Sequence, residues 1–208
     1  MNRRLPACSL VGLSLCVNIR LYAQGMLPPQ NNLPSAGPAA VLRIGDPVTD
    51  SMIVADLQGS ARTLMSYKEP LNSMIVGFFS AGCPEDQAER ADFRRLYDNY
   101  KTWGVTFVAV EGNSQEPAED LAAALQKSRI PAGTSGLGVP VLRDLQGILA
   151  RRFAVTKTPT LVIIDEGWKL RYRGPLGKVA RQAIEAVISH QEPVDTPESL
   201  VTTGCPIQ

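Results

Sequence analysis

The stretch Met74-Ile75-Val76-Gly77-Phe78-Phe79-Ser80-Ala81-Gly82-Cys83-Pro84 decides how this chain is read. Its first six residues are apolar on both alternating faces, the pattern of a strand covered on each side of a sheet. Pro84 then starts a helix: Glu85 and Asp86 bring negative charge to the first turn, and Phe93, Leu96, Tyr97 and Tyr100 recur at helical spacing. Cys83 therefore falls at the N-cap, with its sulfur near N–H groups that have no partner inside the helix. That position favours the thiolate, the nucleophilic form, while Glu85 and Asp86 oppose it. A strand end also suits a small buried hydrophobe, which is how cysteine commonly behaves.

Outward from this unit the periods alternate. Val105 to Val110 reads as a second buried strand, and residues 117–128 as a helix with Pro117 at its first position and Leu121, Ala124 and Leu125 on one face. Val139 to Leu142 is a short strand and residues 147–153 a short helix. Thr160 to Ile164 is a third strong strand, and Asp165-Glu166-Gly167 turns it into a partner strand, Trp168 to Tyr172. Residues 179–189 close the series as a helix with Ala180, Ile184, Val187 and Ile188 inward. The order predicts an α/β sandwich with a central mixed β-sheet flanked by helices. Pro159 cannot donate to a sheet ladder, so Thr158-Pro159 belongs at a strand start, an edge or a bulge.

The chain has 208 residues, 21 Lys and Arg against 20 Asp and Glu, a net charge of +1 and four Cys. This length suits one domain with a sizeable core. A balance so near zero lacks the basic excess of a nucleic-acid binder, and 44% hydrophobic residues argue against wholesale disorder. Residues 1–23 read as a signal peptide: Arg3 and Arg4 precede a mostly apolar run, and Leu21-Tyr22-Ala23 forms a small-residue cleavage site. Pro6, Asn18 and Arg20 interrupt that run, which is too short to span a bilayer cleanly, so no stable membrane insertion is expected unless the segment is retained as an anchor. Cleavage would remove Cys8, Cys16 and three Arg, taking the charge from +1 to −2. Residues 24–43 read as a flexible linker, 44–190 as the domain, and 191–208 as a tail that carries Gly204-Cys205-Pro206-Ile207 just before its last residue.

Residues 45–60, 74–84, 104–113, 139–165 and 169–174, in this order and spacing, resemble the thioredoxin-like redoxins of the alkyl hydroperoxide reductase/thiol-specific antioxidant group. The Gly204-Cys205-Pro206-Ile207 end resembles that of exported bacterial members. The resemblance implies a thioredoxin-like fold with a redoxin-type helix, the one from Pro117, inserted between sheet strands. It puts Cys83 in the place of the nucleophile, Pro159 in that of a cis-proline packed against it, and Thr158 where the backbone supports a bound thiol substrate. It further implies a periplasmic or secreted oxidoreductase with a peroxide or a thiol/disulfide as substrate and an external protein or small thiol as reductant.

Asp86 stands where a Cys-x-x-Cys motif has its second cysteine, and Gly82 where an aromatic residue is usual. In the peroxidase motif Ser80 matches the hydroxyl position, but Val76 replaces the proline. Arg143 is a candidate for the arginine that peroxidases place beside the sulfur. In an oxidising compartment Cys83 and Cys205 are expected to pair. Cys205 then either resolves an intermediate on Cys83 or staples the tail, closing a loop worth about 4–5 kcal/mol by chain entropy. The second case, or two free thiols, would suit a redoxin-fold binding or scaffold module without catalysis. One histidine, His190, after the last helix, and no close Cys cluster leave a metal site unsupported, and no cofactor motif is present. Trp103 and Trp168 are read as packing residues.

Overall fold

Strand β3 (Ser73–Phe79) lies at the centre of the computed structural model, in which residues 40–48, 52–133, 138–193 and 203–207 are described. Every residue of β3 is buried. Its side chains alternate between two cores: Ile75 and Phe79 join one, Met74, Val76 and Phe78 the other. The doubly apolar run is thus the consequence of a strand covered on both faces.

The other strands are β1 (Ile53–Ala55), β2 (Ala61–Thr63), β4 (Val105–Glu111), β5 (Ala132–Gly133), β6 (Val139–Arg143), β7 (Lys157–Thr158), β8 (Thr160–Ile164), β9 (Leu170–Gly174) and β10 (Cys205–Pro206). Among the described residues the main sheet runs β2-β1-β6-β4-β3-β8-β9, with β5 beside β6. Strands β3, β4 and β6 are parallel, while β8 and β9 add to β3 as an antiparallel hairpin. The sheet is mixed, as the alternation of periods predicts.

Helices α1 (Pro84–Tyr100), α2 (Ala118–Lys127) and α4 (Lys178–Ile188) supply Phe93, Leu121 and Ile184 to the first core. Phe93 packs edge-on between Phe79 and Phe107, with ring centroids 5.0 and 5.7 Å apart. Helix α3 (Ile148–Arg152) and the chain around Leu42 and Val48 cover the opposite face. Leu42 is buried and its N–H donates to the Arg152 carbonyl at 2.8 Å, so packed chain reaches into the 24–43 stretch read as linker.

Several local expectations shift. Pro117 caps α2 with an extended ψ of 137° and is not its first helical residue. The 147–153 helix is a 3-10 turn, Leu145–Gly147, followed by α3, because Gln146 and Gly147 take positive φ; the Asp144 carboxylate then accepts the N–H groups of Leu149 and Ala150. Trp168 adopts a left-handed φ of 61° in the hairpin turn, so its strand begins at Leu170. There it packs beneath the Lys68 ammonium, 4.6 Å from the ring centre. Trp103, read as a packing residue, is 64% exposed after the end of α1. His190 follows α4 on the surface, 3.2 Å from a Glu166 carboxylate oxygen.

The leader assignment of 1–23 with Cys8 and Cys16, most of the linker, and tail residues 194–202 lie outside the described residues. Among those described, no helix is long and apolar enough to cross a membrane.

Candidate functional site

Cys83 caps α1 with extended dihedrals (φ −79°, ψ 119°), and Pro84 follows at the start of the helix. The side chain is 3% exposed. Facing it is the Thr158-Pro159 peptide, which is cis, with the Thr158 carbonyl oxygen 4.0 Å from the Cys83 sulfur. Thr158 is itself buried. The two sequence features singled out from strand ends 75 residues apart therefore meet.

The tail completes this arrangement. β10 pairs antiparallel with β7, Cys205 opposite Thr158 and Pro206 opposite Lys157, and the Ile207 N–H donates to the Thr156 carbonyl at 3.0 Å. Gly204 passes so close to the Thr158 carbonyl that a Cβ would collide with it, and its φ of 147° is one that L side chains rarely adopt. Cys205 and Cys83 form a disulfide with Cα atoms 5.9 Å apart, inside the ordinary range. The tail thus delivers the second cysteine from 122 residues downstream, as the pairing expected of the two requires.

Acidic groups surround the bond. One carboxylate oxygen of Glu85, exposed on the first turn of α1, lies 3.3 Å from the Cys83 sulfur and 3.3 Å from that of Cys205. Glu116 holds the loop before Cys83: its carboxylate accepts the Ser80 hydroxyl at 3.0 Å, the Gly82 N–H at 3.1 Å and the Asn113 amide at 3.0 Å. A Cβ on Gly82 would come within 2.7 Å of a Glu116 carboxylate oxygen, so a larger residue there would have to displace that side chain. Burial pushes the Glu116 carboxyl up, but these donors outweigh it and the pKa ends below its ordinary value.

Two further carboxyls move the other way. Asp86 is fully buried under the Cys83 loop, and its carboxylate accepts the Ser80 N–H. Burial raises its pKa to about 7 against the pull of that N–H, the Thr158 hydroxyl and the Arg90 guanidinium. Glu111, at the end of β4, accepts the Asn113 N–H at 3.0 Å. Burial lifts it to about 8, with the charges of Glu116 and Asp86 adding to the rise. Burial thus shifts Asp86 and Glu111 toward the protonated form, while the donors around Glu116 shift it toward the anion.

Of the residues picked from sequence, Cys83, Cys205, Thr158 and Pro159 come together; the Ser80 carbonyl accepts the Cys83 N–H at 3.4 Å, and its hydroxyl is held by Glu116, not by a sulfur. Arg143 is exposed at the end of β6. Glu85 was legible only as a first-turn charge opposing the Cys83 thiolate, and Glu111 and Glu116 had no signal of their own, because isolated acids at strand ends and in polar loops are ordinary residues.

Residues 44–173 match the model of the AhpC/TSA family. In structure the chain is similar to a hypothetical protein from Sinorhizobium meliloti (22% identity, TM-score 0.65, covering 81% of this chain and 95% of that one). A conserved protein from Geobacillus kaustophilus is similar at 22% identity and TM-score 0.65, over 81% of this chain and 93% of that one. So is the thioredoxin domain of a thiol-disulfide oxidoreductase from Bacteroides vulgatus, at 17% identity and TM-score 0.55, over 71% and 99%. No curated protein matches in sequence. The matched stretch contains Cys83 and Thr158-Pro159 in a thioredoxin-like fold, and the chain belongs to the AhpC/TSA family.

Proposed function

We propose that the protein is an exported thiol–disulfide oxidoreductase whose Cys83 and Cys205 cycle between a disulfide and a dithiol. The seating of Cys205 carries this reading. It reaches Cys83 as one extended strand laid against Thr158, so that a second thiol is held beside the first by backbone pairing as well as by the bond itself. In the reduced chain the Cys83 thiolate attacks one sulfur of a substrate disulfide, whose S–S bond breaks and releases a thiolate that takes up a proton. Cys205 gives up its proton and attacks the Cys83 sulfur, releasing the second substrate thiol. The substrate has gained two electrons and two protons, and an external dithiol restores the pair by the same two steps.

Disulfides suit this site better than peroxides. Cleaving an O–O bond needs a donor or cation at the departing oxygen, whereas the Ser80 hydroxyl is spent on Glu116 and the sulfurs have Glu85 beside them. The test is reduction of a protein disulfide by an external dithiol with the chain as carrier. Cys83→Ser abolishes turnover and Cys205→Ser accumulates a mixed disulfide on Cys83, while peroxide consumption matches that of Cys83→Ser. Turnover unchanged by Cys83→Ser would end the proposal.

A structural staple is the second reading, favoured by Asp86 in place of a motif cysteine. In that case the bond resists dithiols, and its removal costs stability without touching any exchange activity. Export rests on the leader pattern of residues 1–23, and the intact mass of the secreted form tests it.

A further inference from the structure

The donor atoms of Cys83, Glu85 and Cys205 all lie within 4.8 Å of one another. We propose that the reduced chain binds a thiophilic divalent cation, of which zinc is the type, between the two thiolates and the Glu85 carboxylate, and that the disulfide form does not. Two sulfurs and one carboxylate are the donors zinc accepts, and thiolates select it over magnesium and calcium. Three protein ligands leave a fourth position, which opens to solvent here because Glu85 is exposed and Cys205 half-buried.

The ligands are held by bonds that do not involve the sulfurs. Cys83 is fixed by the start of α1, and Cys205 by its pairing with Thr158 and by the Ile207 N–H on Thr156. Breaking the S–S bond thus leaves both thiols facing Glu85. Two thiolates on one tetrahedral zinc stand about 3.8 Å apart, a separation that side-chain rotation reaches from the bonded pair. Three negative ligands and a divalent cation leave one net negative charge, at the positive end of a 17-residue helix, where an anion is favoured.

Redox state controls the site. An external dithiol delivers two electrons and two protons to the Cys83–Cys205 bond and leaves as its own disulfide; the cation then displaces the two thiol protons. Oxidation removes two electrons, re-forms the S–S bond and expels the cation. The site goes beyond thiol exchange and does not depend on it, since chemical reduction alone creates it.

The test is cobalt titration of the full chain with Cys8 and Cys16 changed to Ser, reduced with a phosphine and desalted without oxygen. The expected result is one equivalent of Co²⁺ with thiolate-to-cobalt charge-transfer absorption, displaced by Zn²⁺. Either Cys83→Ser or Cys205→Ser removes that two-thiolate signal, and Glu85→Gln keeps it but weakens binding at least about tenfold. The oxidised chain shows none of it, and circular dichroism confirms that each variant is folded. No charge-transfer band in the folded reduced chain, a band that survives Cys205→Ser, or equal affinity in Glu85→Gln would overturn the site.

Discussion

The backbone of Cys205 pairs with that of Thr158, the residue before the cis-proline, while its sulfur is bonded to Cys83. The tail thus has two attachments to the same spot, one covalent and one through backbone hydrogen bonds. The backbone attachment keeps the second thiol at high effective concentration when the bond opens, which is what a pair that re-forms after each exchange requires.

Gly204→Ala tests that attachment. A Cβ there meets the Thr158 carbonyl, and the φ of 147° penalises any L side chain. The strand is forced off β7 at a cost of about 1–3 kcal/mol. Thermal unfolding shows the loss, and the reduced variant re-forms the Cys83–Cys205 bond more slowly in a quenched-oxidation assay.

Glu116→Ala removes the acceptor shared by Ser80, Gly82 and Asn113. Leaving donors in this half-buried loop without a partner costs about 1–3 kcal/mol in urea unfolding at neutral pH. Glu116→Gln retains part of the network and loses less.

Stability should also fall as pH rises. The folded chain holds a proton on Glu111 up to about pH 8, whereas the unfolded chain releases it near the ordinary glutamate value, 4.5. Between these limits the folded state binds more protons, so the contribution is complete below the lower value and lost by the upper one. Asp86 acts in the same direction with an upper limit of about 7. Urea unfolding from pH 5 to 8 shows the decline, and Glu111→Gln flattens it; an unchanged slope in that variant would assign the decline to other groups.

Much of this architecture was legible in the chain. The apolar run 74–79, with no polar face, could be satisfied only between two layers, and Cys83-Pro84 after it could only begin a helix. Thr158-Pro159 was legible because proline restricts where a strand starts. The pairing of Cys83 with Cys205 was legible as well, since leader removal leaves only these two cysteines; the seating of the tail on β7 was not, because a Pro- and Thr-rich segment does not encode its strand partner in its period. Glu116 was equally silent, because its role comes from the meeting of two loops. Trp103 misled because its place at a strand entrance suggested packing, whereas the turn after the C-terminus of α1 leaves it exposed outside both cores.

Glu85→Gln should speed attack on the disulfide. An incoming thiolate carries a negative charge, and a carboxylate oxygen stands 3.3 Å from each sulfur. Removing that charge at a solvent-exposed site is worth about 1 kcal/mol, roughly a fivefold faster reduction by a small thiol. Stopped-flow kinetics reads the rate, and added salt narrows the gap between wild type and variant.

A Cys83–Cys205 bond that opens and re-forms in each exchange needs a reduction potential within reach of external dithiols, and that potential is measurable. The oxidised chain, with Cys8 and Cys16 replaced by Ser, is equilibrated with graded dithiol/disulfide buffers and the reduced fraction is quantified by thiol alkylation and mass. The expected potential lies above about −300 mV, among the exchanging oxidoreductases; a value well below about −300 mV, where structural disulfides of secreted proteins lie, would make the bond a staple and not a carrier.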